Sequence, residues 1–257
     1  MKHLIPRSAE RFVRPFVILL IVLSVIGFIG TSIEEAHEQA RNLRSAGMVL
    51  IQGGCYEMGD RSGKGAEDER PVHMACVDPF YLGKAEVTVE AFSRFVEETG
   101  YQTEASADKP GGQTVPHFVR TSADGCEFWD GANERSPVVC VSWNDAGHYI
   151  EWMKNKSPKK AMGYRLPTEA EWEFAARNYD MDGNVSQWML DWYGEGFYKR
   201  GHKANPRGPS EGKFRVIRGG SWSDEPAKLR LSARKKEMPV YRSSHLGFRL
   251  ALGVSDR

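Results

Sequence analysis

YRLPTEAEWEFAAR, residues Tyr164 to Arg177, decides the fold. Thr168 followed three residues later by Glu171 is a capping box, in which each side chain satisfies the other's backbone amide. With Pro167 just ahead, the pattern predicts a helix beginning next to Thr168. Trp172, Ala175 and Ala176 are the residues that bury it.

Two further helices have legible starts upstream. In PVVCVSWNDA, Pro137 to Ala146, Ser142 caps a helix with Ala146, Tyr149, Ile150 and Met153 on its inner side. Thr88 caps another, with Phe92, Phe95 and Val96 inside and Gly100 as the stop. MVLIQGGCYEMGD alternates and breaks at Gly53-Gly54, so it reads as strand with a bulge or turn. HMACVDPFYLGKAEVT is a second strand-rich segment. The remainder is rich in turns, Gly, Trp and Tyr, without internal repeats. One α+β domain with much irregular structure is expected from residue 48 to 253.

The chain of 257 residues starts differently. Residues 1–14 are basic and read as a cytoplasmic N-terminus. Residues 15–33, PFVILLIVLSVIGFIGTSI, carry no charge. At about 1.5 Å per residue that run just crosses a hydrocarbon layer of about 30 Å. Charge before it is positive and charge after it is negative, which predicts a transmembrane anchor with the body periplasmic or extracellular. A cleaved signal peptide, with Gly30 and Ser32 as small residues, is the alternative and leaves the body on the same side. Residues 34–47 read as a polar stalk.

Four cysteines agree with an oxidising compartment. Three pairings are open, and the sequence-local one, Cys55–Cys76 with Cys126–Cys140, is preferred. Close C-x-x-C spacing, as zinc would want, is absent. From Lys199 to Arg257 there are 15 Lys and Arg against 5 Asp and Glu. Such a face suits an anionic envelope partner. Equally, arginines in a turn-rich domain tie down carbonyls and carboxylates. Nucleic acid is not an expected partner outside the membrane.

The segments also occur in a telling order. GGCYEMGD, DERPVHMACVDPFYLGKAEVT, PVVCVSWNDA and YRLPTEAEWEFAAR are followed by YDMDGNVSQW, RGGSW at Arg218 to Trp222 and GFRLAL at Gly247 to Leu252. This set resembles the formylglycine-generating enzyme, or sulfatase-modifying factor, family. The resemblance implies a complex C-type-lectin-like α+β fold with little regular secondary structure. It also implies a copper-dependent oxidation of a substrate cysteine, with copper held by two cysteines just after the segment matching RGGSW. Here that segment continues SDEPAKLRLSARKKEMP, and no cysteine follows Cys140. Thiolates are the ligands that hold Cu(I), so no copper is expected and the chain reads as a divergent member. The family's ergothioneine-type sulfoxide synthases need a histidine-bearing helical domain that this chain lacks. Pyoverdine-maturation proteins, periplasmic and without the copper cysteines, fit better.

Two sites follow from the resemblance. Asp224 and Glu225, beside Trp222, sit where the family's active-site loop should be and are the weak catalytic candidates. An acid shielded by Trp222 would have a raised pKa fit for proton transfer. The plain alternative is a solvated pair, or salt bridges to Arg230 and Arg234. In YDMDGNVSQW, Asn184, the Val185 carbonyl and Gln187 match a calcium site, with Asp180 and Asp182 as look-alikes. Position 187 keeps an oxygen but loses the acid's charge. A stretch of several tens of residues that usually precedes this segment is missing after Arg177. The expected function is a membrane-anchored extracytoplasmic domain acting as a binding or scaffold module for a peptide or protein. The alternative is a copper-independent enzyme modifying a peptide or secreted metabolite.

Overall fold

The helix predicted from YRLPTEAEWEFAAR is α3, Glu169–Ala176, in the computed structural model. Thr168 Oγ1 accepts from the Glu171 amide at 3.2 Å and Glu171 Oε2 accepts from the Thr168 amide at 2.8 Å, so the capping box forms as read. The other helices are α1, Val89–Thr99, and α2, Trp143–Lys156. Thr88 caps α1, which stops at Gly100 in the left-handed region. Ser142 Oγ accepts from the Asp145 amide at 3.0 Å, and Asp145 answers by accepting from the Ser142 amide at 2.9 Å. Phe92 and Phe95 of α1 meet Tyr149 of α2 and Phe248 in one aromatic cluster.

The structure describes residues 34, 37–38, 40–44, 46–104, 133–156, 163–178, 184–201, 204–225 and 229–254. The apolar run 15–33 lies outside them. Among the described residues no helix is long and apolar enough to cross a membrane. In the N-terminal unit, residues 40–44 are helical. The body begins at Val49.

Among the described residues ten short strands form three sheets. The first has the order β1-β4-β10-β5, from Met48–Ile51, Phe80–Gly83, Ala251–Gly253 and Tyr164–Arg165. The second is an antiparallel ribbon of β2, Gly54–Met58, and β3, His73–Val77. Cys55 stands opposite Cys76 in its register and is disulfide-bonded to it. Cys140 is disulfide-bonded too, while Cys126 lies outside the described residues. The third sheet runs β8-β7-β6-β9: Arg234–Glu237, Arg215–Arg218, Ser186–Trp192 and Leu246–Gly247. β6 and β9 are parallel and its other pairs antiparallel.

GFRLAL does not make the single terminal strand that its alternation suggests. It ends β9 in one sheet, crosses, and becomes β10 in another. The reason is Arg249, whose guanidinium is drawn inward to the Gly83 and Lys84 carbonyls, each at 2.8 Å, and to Gln187. Strand alternation would have put that charge on the opposite side from Phe248, toward solvent.

Residues opposite one another in an antiparallel pair share a face. Gln187, Arg218 and Arg234 therefore face α3, and Ile217 and Lys235 lie on the far side. On α3's side the third sheet is stitched by charge. Glu169 takes Arg234 at 2.7 Å, Glu171 takes Arg165 at 2.6 Å, and Glu173 takes both Arg177 and Arg218. Buried ions need partners. Arg218, Arg230, Arg234 and Arg249 of the basic C-terminal part bond to Glu173, Glu69, Glu169 and Glu86, so much of that charge excess ties down buried carboxylates.

Candidate functional site

RGGSW turns the chain around the end of β7. Gly219 adopts φ +79°, and a Cβ there would stand 3.1 Å from the Trp172 ring, so only glycine lets the turn lie on α3. Beyond the turn is a cavity of about 140 Å³ on the far face of the third sheet. Ser186, Ile217 and Lys235 make its floor. Ser221, Ser223 and Asp224 line one side, Tyr241, Ser243 and His245 the other.

Asp224 is the electrostatic centre of this cavity. Its Oδ2 accepts from the Ser221 amide and hydroxyl, both at 2.8 Å, and from the Lys235 ammonium at 2.7 Å. Burial alone would raise the carboxyl, but Lys235 and Ser221 hold it below the ordinary aspartate value. Asp224 is thus an ionised carboxylate and not the shielded proton donor considered from sequence. Trp222 does not cover it: this indole is 52% exposed and meets His245 in an edge-to-face contact at 4.8 Å. Glu225 faces solvent. The adjacent acids point apart, as expected of neighbours on a loop.

The salt-bridge partners read from sequence need correction. Arg230 bonds to Glu69 and Arg234 to Glu169, and Asp224 pairs with Lys235 instead. Register explains this, because Lys235 opposite Ile217 falls on the cavity side while Arg234 opposite Arg218 falls toward α3. Lys235 also donates to Ser186 Oγ at 3.2 Å, and that hydroxyl donates to the Gly219 carbonyl at 3.1 Å. Lys235, His245 and Tyr241 carry no local motif, and only long-range pairing brings them to Asp224. Ser221, inside RGGSW, was within reach of the sequence.

A larger recess of about 450 Å³ lies beside Arg165, Glu171, Asn205 and Arg207. Its inner charges are spent on one another, since Arg165 and Glu171 form two hydrogen bonds of 2.6 Å.

Of the residues matched to calcium, Gln187 does not fit the ion. Gln187 is fully buried, and its Oε1 already accepts from Trp172 Nε1 at 3.0 Å and from Arg249 Nε at 3.2 Å. Its amide donates to Glu86 at 2.9 Å, and Asn184 donates to the same carboxylate at 3.5 Å. Glu86 also pairs with Arg249 at 3.4 Å. A cation at Gln187 would have to displace two donors beside a guanidinium. Asp180 and Asp182 lie outside the described residues. Among the described residues no group of three or more His, Cys, Asp or Glu is placed to hold a metal.

The sulfatase-modifying factor enzyme 1-like domain matches residues 32–178 and 178–254. The chain belongs to that family. The two matched parts meet at residue 178, next to Arg177, after which the family resemblance implies a missing stretch. The formylglycine-generating enzyme of Streptomyces coelicolor is 29% identical over 301 aligned positions, covering 84% of this chain and 92% of that protein. That alignment is longer than the 257-residue chain, so the relative carries segments that this sulfatase-modifying-factor-like protein does not. The inactive Cα-formylglycine-generating enzyme 2 of Bos taurus is 29% identical and covers 92% of this chain and 95% of its own. Among solved structures, PvdO from Pseudomonas aeruginosa superposes with a TM-score of 0.67 at 23% identity, over 80% of this chain and 94% of that one. That likeness establishes a shared fold.

Proposed function

We propose that this chain is a membrane-anchored, extracytoplasmic member of the family that binds a peptide or protein segment, and is not a formylglycine-generating oxidase. One observation carries the reading. The place after RGGSW where the family resemblance puts paired cysteines holds instead Asp224, bonded to Lys235 and Ser221. A thiolate pair would hold Cu(I), whereas a carboxylate neutralised by an ammonium offers no soft ligand and only fixes a wall. The cavity supports the same reading. About 140 Å³ accommodates a side chain, well below the roughly 300–1,000 Å³ of a small-molecule site. Exposed Trp222, in contact with the cavity's His245, offers the amphipathic contact area common in binding surfaces. The similarity to a relative described as inactive agrees. The anchor rests on residues 15–33 and on the charges either side of them.

The second reading, a copper-independent enzyme of the pyoverdine-maturation kind, is favoured by the convergence of Ser221, Ser223, Asp224, Lys235 and His245 on one cavity. One experiment separates the two. The full chain is purified in mild detergent, and a randomised peptide library is passed over it together with Trp222→Ala and Asp224→Ala. Binding predicts peptides retained unchanged in mass and lost with Trp222→Ala. A mass-shifted product that disappears in Asp224→Ala, or redox metal bound in stoichiometric amount, would sink the binding reading.

A further inference from the structure

β8, Arg234–Glu237, is the outer strand of the third sheet, and among the described residues nothing pairs with the edge it turns away from β7. Its main chain is reachable. The Arg234 side chain is 1% exposed, yet the residue as a whole is part-exposed, so the open area there belongs to backbone. An open strand edge is a row of unpaired donors and acceptors that another extended chain can satisfy.

Side chains flanking this edge are mainly cationic, with Glu237, opposite Arg215, the one acid of the strand. Lys235 points to the cavity and is neutralised by Asp224. Lys236, on the opposite face, lies over the rings of Tyr193 at 4.4 Å and Phe214 at 5.8 Å. Lys213 sits over the same Phe214 ring at 5.3 Å. Both lysines are exposed, and neither has a carboxylate partner among the described residues. The neighbouring Asp68 is taken up by the Tyr193 hydroxyl at 2.6 Å. Past the end of β8, Met238, Val240 and Tyr241 are 43%, 49% and 41% exposed and lead along the surface to the cavity.

We propose that the β8 edge docks an extended acidic segment of a partner protein, which joins the sheet as a fifth strand. Alternate side chains of that segment meet Lys213 and Lys236 on one face and the cavity of Tyr241 and His245 on the other, because strand side chains alternate. The proposal rests on the binding function above and names its partner chemistry. Lysines on an edge strand also guard against unwanted pairing. That guard repels basic strands and admits acidic ones. Polysaccharides and anionic lipids would use the lysines but leave the backbone edge unsatisfied, which favours a peptide.

The test measures fluorescence anisotropy of labelled decapeptides against the full chain in mild detergent. One peptide alternates Glu with Thr, a second alternates Lys with Thr, and a third is the acidic peptide N-methylated at its central amides. The acidic peptide is expected to bind, more weakly at high salt, and to lose about tenfold in affinity on N-methylation. Lys213→Glu with Lys236→Glu is expected to cost a similar factor, while Lys84→Glu, at an exposed lysine just past β4 of the first sheet, leaves binding unchanged. Equal binding of the N-methylated peptide, an unaffected double variant, or no binding of the acidic peptide overturns the proposal. Phosphatidylglycerol vesicles that bind through Lys213 and Lys236 when no peptide does would assign the lysines to a lipid surface and overturn it as well. A library peptide held through Trp222 while the decapeptides fail removes the edge alone and leaves the cavity's function standing.

Discussion

Arg218 and Glu173 form an ion pair from which water is wholly excluded: both side chains are 0% exposed. Glu173 also accepts from the Gly59 amide at 2.9 Å and from Arg177 at 2.5 Å, and Arg218 donates to the carbonyls of Leu231, Ser232 and Ala233. The pair therefore joins α3, the loop after β2 and the approach to β8. Removing one ion leaves the other charge buried and unmatched. Glu173→Ala is expected to cost about 3–5 kcal/mol in urea unfolding. A loss under about 1 kcal/mol, the worth of an ordinary hydrogen bond, would refute this account of the core.

Stability should fall as pH rises toward neutrality because of Asp191. Its carboxylate accepts from the Glu169 amide at 2.8 Å and the Gly208 amide at 2.6 Å. Burial, with Glu169 close by, pushes its pKa up to about 7. The folded state therefore holds a proton that the unfolded chain releases near pH 4. Between those values the native protein binds more protons than the unfolded one, so raising pH costs stability, up to about 4 kcal/mol, and the loss levels off above about pH 7. Asp191→Asn should flatten the difference between urea midpoints at about pH 5 and about pH 8. An unchanged difference would show that Asp191 ionises freely.

Arg215 is sandwiched between Trp143 and Trp192, with its guanidinium 3.6 Å and 3.4 Å from the ring centres. It also donates to the Leu190 carbonyl at 2.8 Å. A lysine lacks the flat group that stacks on both indoles. Arg215→Lys should lower stability by about 1–2 kcal/mol and shift tryptophan emission to the red. Emission and unfolding midpoint that both match the parent protein would contradict the sandwich.

Calcium should leave the thermal midpoint where it is. Gln187 Oε1 is fully engaged by Trp172 and Arg249, and Arg249 supplies a positive charge already paired with Glu86. Adding excess calcium, or chelating with EDTA, is expected to change Tm by less than about 1 °C. Stabilisation that grows with calcium concentration, as ligand linkage requires, would restore the metal.

The helix starts, the strand character of the β2 and β3 segments and the Cys55–Cys76 bridge were legible because their determinants lie close in sequence. A capping box spans four residues, and the two cysteines are separated by 21. What the sequence hid was pairing across distance. Glu69 and Arg230 are 161 positions apart, and Arg249 reaches back 166 positions to the Gly83 carbonyl. Nothing near SDEPAKLRLSARKKEMP says that Lys235, and neither Arg230 nor Arg234, will meet Asp224. The register of β8 on β7 decides it, and a slip of one residue would have exchanged Lys235 for a neighbour. Of the two candidate acids Asp224 lines the cavity and Glu225 does not, and the ionisation state of Asp224 depends on that register.

The crossing of GFRLAL between sheets has a consequence for how the protein is made. β10 is an interior strand, held between β4 and β5, and β9 closes the far edge of the other large sheet. Both come from residues 246–253, which leave the ribosome after every other described strand and helix of the body. Until they emerge, β4 and β5 have no strand between them and Arg249 is missing from beside Glu86 and Gln187. The growing chain can form α1, α2 and the β2–β3 ribbon, whose contacts are local, but it cannot lock. The fold thus locks only once residues 246–253 have been made, and a chain cut before Leu246 would be left unlocked, however intact the sequence ahead of it.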